Sequence, residues 1–368
     1  MRVAFVGWRG MVGSVLRERM AAEGDLAVLD LHAFSTSSPG APGPDLGHGA
    51  RPLGDAGDVE ALAAFPVILT CQGGAWTKAM YPALRAAGWD GYWVDAASAL
   101  RLDPDATVVL DPVNRPAIVQ ALDAGVRTYV GANCTVSLLL MGLIGLIRTG
   151  QVEWISTMTY QAASGAGARQ MRELVSQMQA LGQAAGSLLD DPGTAALAVD
   201  RAVAEALAAP AFPTSAIGAP LAANALPWID QAMAEGQTRE EWKSMVEAGR
   251  ILGMTLPIDG LCVRIGAMRS HAQAVTIKLT DDLPLAEVEA AIAGAHPWVD
   301  VVPNTPEATL AQLTPAAVAG TLRVPVGRLR KMKLGPGFYT AFTVGDQLLW
   351  GAAEPLRRML GLLRERHG

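Results

Sequence analysis

At 368 residues the chain is longer than one hydrophobic core usually serves, so two domains are expected. Apolar residues make up 51% and charged residues 17% of it, a balance that excludes disorder and suits a large buried fraction. The net charge of −6 argues against nonspecific nucleic-acid binding and a membrane-surface role, so positive charge for any anionic ligand must be gathered locally. Cys71, Cys134 and Cys262 are too few and too scattered for a disulfide framework or a CxxC metal site, and a reducing cytoplasm fits them. The opening segment MRVAFVGWRGMVG has no signal-peptide pattern. The longest nearly apolar run, residues 136–147, is shorter than the ~20 residues of a membrane span and reads as a buried core helix.

Residues 3–6 form a short apolar run ending at glycine, as a buried parallel strand does. A helix follows over residues 11–22, with Val12, Val15, Leu16 and Met20 on one face. Residues 27–34 supply a second strand, and SSPGAPGPDLGHG (37–49) is expected to be loop. The runs VILTC (67–71), YWVDA (92–96) and TVVL (107–110) continue the strands, with a helix over 77–87. This alternation predicts an α/β, doubly wound, Rossmann-like domain over residues 1–132. Beyond Cys134 come longer strands at 154–160, 261–266 and 274–279, with helices at 169–181 and 238–251. They predict an α+β second domain, 133–354, around a mostly antiparallel sheet. The amphipathic tail, 355–368, is expected to pack back on the first domain.

Gly7, Gly10 and Gly13 (GWRGMVG) lie between the first strand and first helix, where glycines let a pyrophosphate approach a helix N-terminus. The spacing is one residue longer than G-x-G-x-x-G, and an ordinary glycine-rich turn would read the same way. The end of the second strand, Phe34-Ser35-Thr36-Ser37-Ser38, carries no acid for a ribose 2′-hydroxyl, and Asp30 lies too early in the strand. Hydroxyls there, with Arg9, suit a 2′-phosphate and favour NADP over NAD.

Ala132-Asn133-Cys134-Thr135 precedes the core helix. A thiol at a helix N-terminus meets the positive dipole end and unpaired N–H groups, which favour thiolate and could hold an oxyanion. The plainer alternative is a small buried hydrophobe, the fate expected of Cys71 and Cys262. Of the five histidines, His32 falls in a strand, His48 in the loop, His296 beside Pro297 and His367 at the terminus. His271 ends the cation-bearing stretch RIGAMRSH and is either an acid/base or a satisfied surface histidine.

The segments GWRGMVG, TCQGG, DAASALR, DPVN, GANCTVSL, YQAASGAGARQMREL, REEWK, DGLCVRIGAMRSHAQA and FTVGDQLLWGAAEPLRRML run in order from near residue 1 to near residue 360. Together they resemble the aspartate-semialdehyde dehydrogenases of the Gram-negative-type branch. The resemblance implies Cys134 as nucleophile, His271 as acid/base and Gln161 as the residue orienting substrate. It implies Arg264 for the substrate carboxylate, Glu240 for its ammonium, and Arg101 with Lys243 for phosphate. For NADP it implies Arg9, Gly10, Met11, Val12, Thr36, Ser37, Gln72, Ser164, Gly165, Ala166, Gly167, Ala168, Arg172, Pro192 and Gln347. It further implies a homodimer and a place in lysine, threonine and methionine biosynthesis; no metal is called for.

Singly, Glu240 and Lys243 would read as a surface ion pair, Arg101 as a helix cap and Arg264 as a solvated strand residue. Ala166 stands where the family commonly has glycine, which would strain the loop if that position needs positive φ. The competing readings are an N-acetyl-glutamyl-phosphate reductase-like enzyme and a nucleotide-binding regulatory protein without activity. An ammonium contact at Glu240 argues against the first, and an intact Asn133-Cys134-Thr135 against the second.

Overall fold

A computed structural model describes Met1–His367. Strand β1 (Arg2–Val6) runs into the glycine turn and helix α1 (Met11–Ala22). The predicted second strand begins only at Asp30, as β2 (Asp30–Ser35), because Asp25–Ala27 form a 3-10 turn first. The expected loop over 37–49 is not wholly irregular. β3 (Pro42–Asp45) pairs antiparallel with β4 (Ala50–Pro52) in a separate two-stranded ribbon, where prolines lacking an N–H are tolerated at an edge. β5 (Gly54–Asp55), α2 (Val59–Ala63), β6 (Val67–Thr70), α3 (Gly74–Ala86), β7 (Tyr92–Asp95), β8 (Ala106–Val109), α4 (Asp111–Asp123) and β9 (Thr128–Gly131) complete the first layer.

The first sheet has the order β5-β2-β1-β6-β7-β9-β8, and every pairing is parallel. Short strands buried on both faces explain why they read as continuous apolar runs. The chain order reverses at β1, and the crevice beyond the carboxyl ends of β1 and β6 is where such sheets take ligands. Gly7 closes this turn with φ +78, and a Cβ there would lie 2.5 Å from the Cys71 carbonyl carbon. Gly13 lets α1 approach so closely that a Cβ would fall 2.2 Å from the Gly7 oxygen.

Helix α5 (Cys134–Ile147) is buried on nearly every side, so it carries no polar face. After it come β10 (Val152–Gln161), α6 (Ala168–Leu189), α7 (Ala196–Ala208), β11 (Ala225–Leu226), α8 (Arg239–Leu252), β12 (Ile258–Ile265) and β13 (His271–Leu279). α9 (Leu285–Ala293), β14 (Val299–Val301), α10 (Pro306–Gln312), α11 (Pro315–Val318), β15 (Val324–Lys331) and β16 (Phe338–Gly345) follow. Their sheet, β11-β12-β10-β13-β16-β15-β14, is mixed but mostly antiparallel, β10–β12 and β14–β15 being parallel.

α5 covers one face of the second sheet and, with Ile155, Val275, Ile277, Val326 and Ala341, forms a core separate from those of the first sheet. The opposite face presents Trp154, Met158, Tyr160, Phe338 and Phe342 half-buried, with Leu261 exposed. The last helix, α12 (Glu354–His367), returns to the first sheet, burying Leu356, Met359, Leu360 and Leu363 there. No helix of the described residues is long and apolar enough to cross a membrane.

Candidate active site

Cys134 is the first residue of α5, and Asn133 caps that helix. Asn133 Oδ1 accepts from the N–H groups of Thr135 (2.9 Å) and Val136 (3.2 Å) and from the Thr135 hydroxyl (2.6 Å). These amides, expected to be free for an oxyanion, are therefore already engaged. Asn133 Nδ2 donates to Glu240 Oε1 at 3.1 Å, and its backbone N–H to Glu247 Oε2 at 2.9 Å. On the other side, the backbone of Gly351 lies against the start of α5; a Cβ there would fall 2.5 Å from Cys134 Cβ.

His271, the first residue of β13 and fully buried, places Nε2 3.4 Å from Cys134 Sγ. The surface-histidine alternative is thereby removed. The Ala162 N–H donates to Nδ1 at 3.0 Å, which assigns the hydrogen of the neutral ring to Nε2, facing the sulfur. Ser270, just before it, takes a left-handed backbone (φ +74), a strained turn into the buried imidazole. Burial, seconded by Arg264, pulls the imidazole down to about 3. Burial and then Glu240 push the thiol up to about 12, against the pull of Arg101, Arg264 and Lys243. The helix N-terminus and the three cations favour thiolate, whereas loss of water around sulfur and Glu240 oppose it.

The remaining groups converge because of register. Gln161, ending β10, lies directly beside Arg264 on β12, and both are buried. Gln161 Nε2 donates to Thr159 Oγ1 (3.1 Å) and Glu240 Oε1 (3.5 Å). Arg264 Nη1 donates to the Ala162 carbonyl at 2.8 Å, and burial lowers its pKa. Arg264 has no carboxylate within 4 Å among the described residues. A capping box, Thr238 with Glu241, starts α8 and puts Glu240, Lys243 and Glu247 on one inward face by their three- and four-residue spacing. Lys243 Nζ lies 3.0 Å from Glu240 Oε2 and 2.9 Å from Asp230 Oδ2. Arg101 donates from Nε to the Gly131 carbonyl (2.6 Å) and pairs with Glu247 (3.3 Å). Apart from Asp230, none of these groups is solvated: Arg101, Arg264, Glu240 and Glu247 are each at most 8% exposed.

A cavity of about 610 Å³ is lined by Met11, Val12, Arg101, Asn133, Cys134, Gln161, Ser164, Gly165, Ala166, Gly167, Asp230, Glu240, Lys243, Arg264 and Gln347. It joins both sheets. A second cup of about 240 Å³ gathers Arg9, Gly10, Thr36, Ser37 and Gln72 with Trp8 and Ser35. There Arg9 Nη2 donates to Ser37 Oγ at 2.9 Å and Gln72 Nε2 to Thr36 Oγ1 at 3.3 Å. Among the described residues, no carboxylate lines that cup. Gln347 Nε2 donates to Ser164 Oγ at 2.7 Å. Ala166 has φ −88, ordinary for alanine, and the positive φ falls on Gly167 at +122, just before Ala168 opens α6. Arg172 is exposed on α6, and Pro192 is exposed beyond the far end of that 22-residue helix; neither lines the two cavities.

Sequence reasoning passed over Asp230, Glu247 and Gly351. Glu247 had a signal, lying one and two helical turns from Lys243 and Glu240 on the same face; Asp230 and Gly351 had none, since their contacts are fixed only by the fold.

Residues 2–121 match the family model "Semialdehyde dehydrogenase, NAD binding domain", and residues 143–350 match "Semialdehyde dehydrogenase, dimerisation domain". With the cleft between the sheets, these define a dinucleotide-binding oxidoreductase. An aspartate semialdehyde dehydrogenase from Francisella tularensis is 44% identical, with 99% of this chain and 100% of that chain covered and a TM-score of 0.94. The fold is shared by aspartate semialdehyde dehydrogenase II of Vibrio cholerae, solved with ASA (24% identity, 99% and 98% covered, TM-score 0.78). It is shared more distantly by the Candida albicans enzyme, solved with NADP (15% identity, 96% of each chain, TM-score 0.62). The chain belongs to the aspartate-semialdehyde dehydrogenase family.

Proposed function

We propose that this chain interconverts L-aspartate 4-semialdehyde and L-4-aspartyl phosphate, using NADP and inorganic phosphate, through a thioester on Cys134. The observation that carries the proposal is a sulfur 3.4 Å from an imidazole in a cavity that also holds Arg264, Glu240, Arg101 and Lys243. Arg264, buried without a carboxylate partner among the described residues, suits the substrate carboxylate, and its planar fork allows two parallel hydrogen bonds. Glu240, fixed by Asn133 and Gln161, suits the ammonium. An N-acetylated substrate offers no charge to that buried carboxylate, which disfavours the glutamyl-phosphate alternative.

Cys134 Sγ bonds the aldehyde carbon, and the thiol proton ends on the former carbonyl oxygen. His271 Nε2 is the ring atom in reach of both. To accept a proton there, the ring must move its hydrogen to Nδ1 and release the Ala162 N–H, so relay and that hydrogen bond are alternatives. Bound in the crevice, the nicotinamide supplies the hydride exchange between thiohemiacetal and thioester. Phosphate held by Arg101 and Lys243 attacks the thioester carbon, the C–S bond breaks, and Cys134 recovers its proton. Biosynthetic flux runs the other way, towards the semialdehyde used for lysine, threonine and methionine.

The glycine turn, Met11 and Val12 suit the pyrophosphate at the α1 N-terminus. The cup around Arg9, Thr36, Ser37 and Gln72, free of acids, suits a 2′-phosphate. Ser164 to Ala168 and Gln347 would hold the nicotinamide side; Arg172 and Pro192 stand as expected contacts away from both cavities. The half-buried aromatic face of the second sheet suits a second copy of the chain, giving a homodimer. The three free cysteines suit a cytoplasmic enzyme.

The test is phosphate-dependent NADP reduction with the semialdehyde. The parent should be active, Cys134→Ala inactive, and Arg9→Ala should lose its preference for NADP over NAD. Activity that survives loss of the sulfur would end the thioester mechanism.

A further inference from the structure

Lys243 is the cation of the cleft with more negative partners than it needs. It touches two carboxylates, whereas Arg101 has one and Arg264 has none within 4 Å among the described residues. Of its two partners, Glu240 is buried and held at Oε1 by Asn133 and Gln161. Asp230 is different. Its side chain keeps 30% of its exposure, its Oδ1 accepts from the Gln231 N–H (2.9 Å), and its Oδ2 bonds Lys243. It stands in an irregular stretch between β11 and α8, in the left-handed backbone region (φ +72), and lines the same cavity as Cys134, Arg101 and Arg264. Burial tends to raise its carboxyl, yet the Lys243 hydrogen bond holds it below the usual carboxylate range.

We infer that Asp230 is a placeholder anion: it holds Lys243 within the cleft and competes with inorganic phosphate for it. The inference rests on the reading of Lys243 as a phosphate ligand. An ammonium offers three donor directions, and Asp230 and Glu240 take two of them on the cavity side. A phosphate dianion arriving at Lys243 competes with Asp230 both for a donor and through like-charge repulsion. Asp230, on an exposed turn, is the partner able to leave; Glu240, tied at its other oxygen, is not. Asp230 is thus a positioning residue. It keeps the lysine aimed across the cleft until phosphate arrives, and it weakens phosphate affinity as a result.

The direction of the effect separates this from a merely structural role. Asp230→Asn keeps the Oδ1 acceptor, and asparagine tolerates the left-handed backbone, so the turn is preserved. The expected result is a fall of about threefold to fivefold in both the KM and the calorimetric Kd for inorganic phosphate, the scale of a half-exposed ion pair. The KM for the semialdehyde should stay within twofold. Asp230→Gly, also compatible with positive φ, should reproduce the tightening. Lys243→Ala is the companion variant. If it leaves the phosphate KM unchanged, the phosphate reading of Lys243 falls and the inference with it. If it weakens phosphate while Asp230→Asn leaves phosphate unchanged or weaker, the inference alone is overturned. A rise in semialdehyde KM without tighter phosphate would make Asp230 a substrate ligand and overturn it as well.

Discussion

Gly351 offers a severe test of how Cys134 is held and of its proposed role. It lies within the π-helical turn Leu349–Ala353 that leads into α12, and its backbone is pressed against the start of α5. A methyl group there would sit 2.5 Å from Cys134 Cβ and 2.7 Å from Cys134 Cα, with Gln347 Cβ at 3.4 Å. Ordinary contact begins near 3.4 Å, so the two segments must part by about 1 Å. Neither side is the free end of a flexible side chain, and Trp350 and Ala353 beside Gly351 are fully buried, so the turn cannot take the whole shift and part of it falls on Cys134. Gly351→Ala should therefore lower kcat about a hundredfold, the usual result of an ångström of misplacement. Overpacking should cost about 1–3 kcal/mol of stability. The KM for phosphate should change little, since Arg101 and Lys243 are anchored elsewhere. Steady-state kinetics, alkylation of Cys134 and thermal unfolding measured side by side would check this. A well-folded variant with kcat within about threefold of the parent would refute the argument.

Two further outcomes follow from charge. Glu240 is the second cause, after burial, of the raised thiol pKa, so Glu240→Gln should shift the pH midpoint of Cys134 alkylation downward and raise the semialdehyde KM at least tenfold. A midpoint that stays put or rises would contradict the assigned electrostatics. His271, held near 3 against an ordinary 6.5, takes up no proton in the native state where the unfolded chain does. Stability should thus fall as pH drops from about 6.5 towards 3, by about 1.4 kcal/mol per unit from this ring. His271→Gln should flatten that acid slope by one proton in pH-dependent denaturant titrations, and equal slopes would mean the ring is charged in the fold.

The parallel sheet was legible because a strand buried on both faces is an uninterrupted apolar run, and the thiol was legible because Asn133-Cys134 opens so apolar a helix. The ribbon β3–β4 was not, since Pro42 and Pro44 carry turn chemistry even when the backbone is extended. What opposes ionisation of Cys134 was not legible, for a physical reason. Local position at a helix N-terminus is written in neighbouring residues, but burial depends on Gly351, Glu240 and His271, all more than 100 positions away. Asp230 was hidden likewise, and for Glu247 the helix face was legible but its partners Arg101 and Asn133 were not, being chosen by tertiary packing. The φ of Ala166 also needed the fold, which moved the strained position one residue on, to Gly167.

Asn133 spends every polar atom of its side chain and its own amide on two helices, the α5 cap and, through Glu240 and Glu247, α8. That leaves no slack for a change of charge there. Asn133→Asp would keep the cap but set a second negative oxygen 3.1 Å from Glu240, and the variant would lose turnover while retaining its thiol count and its helices.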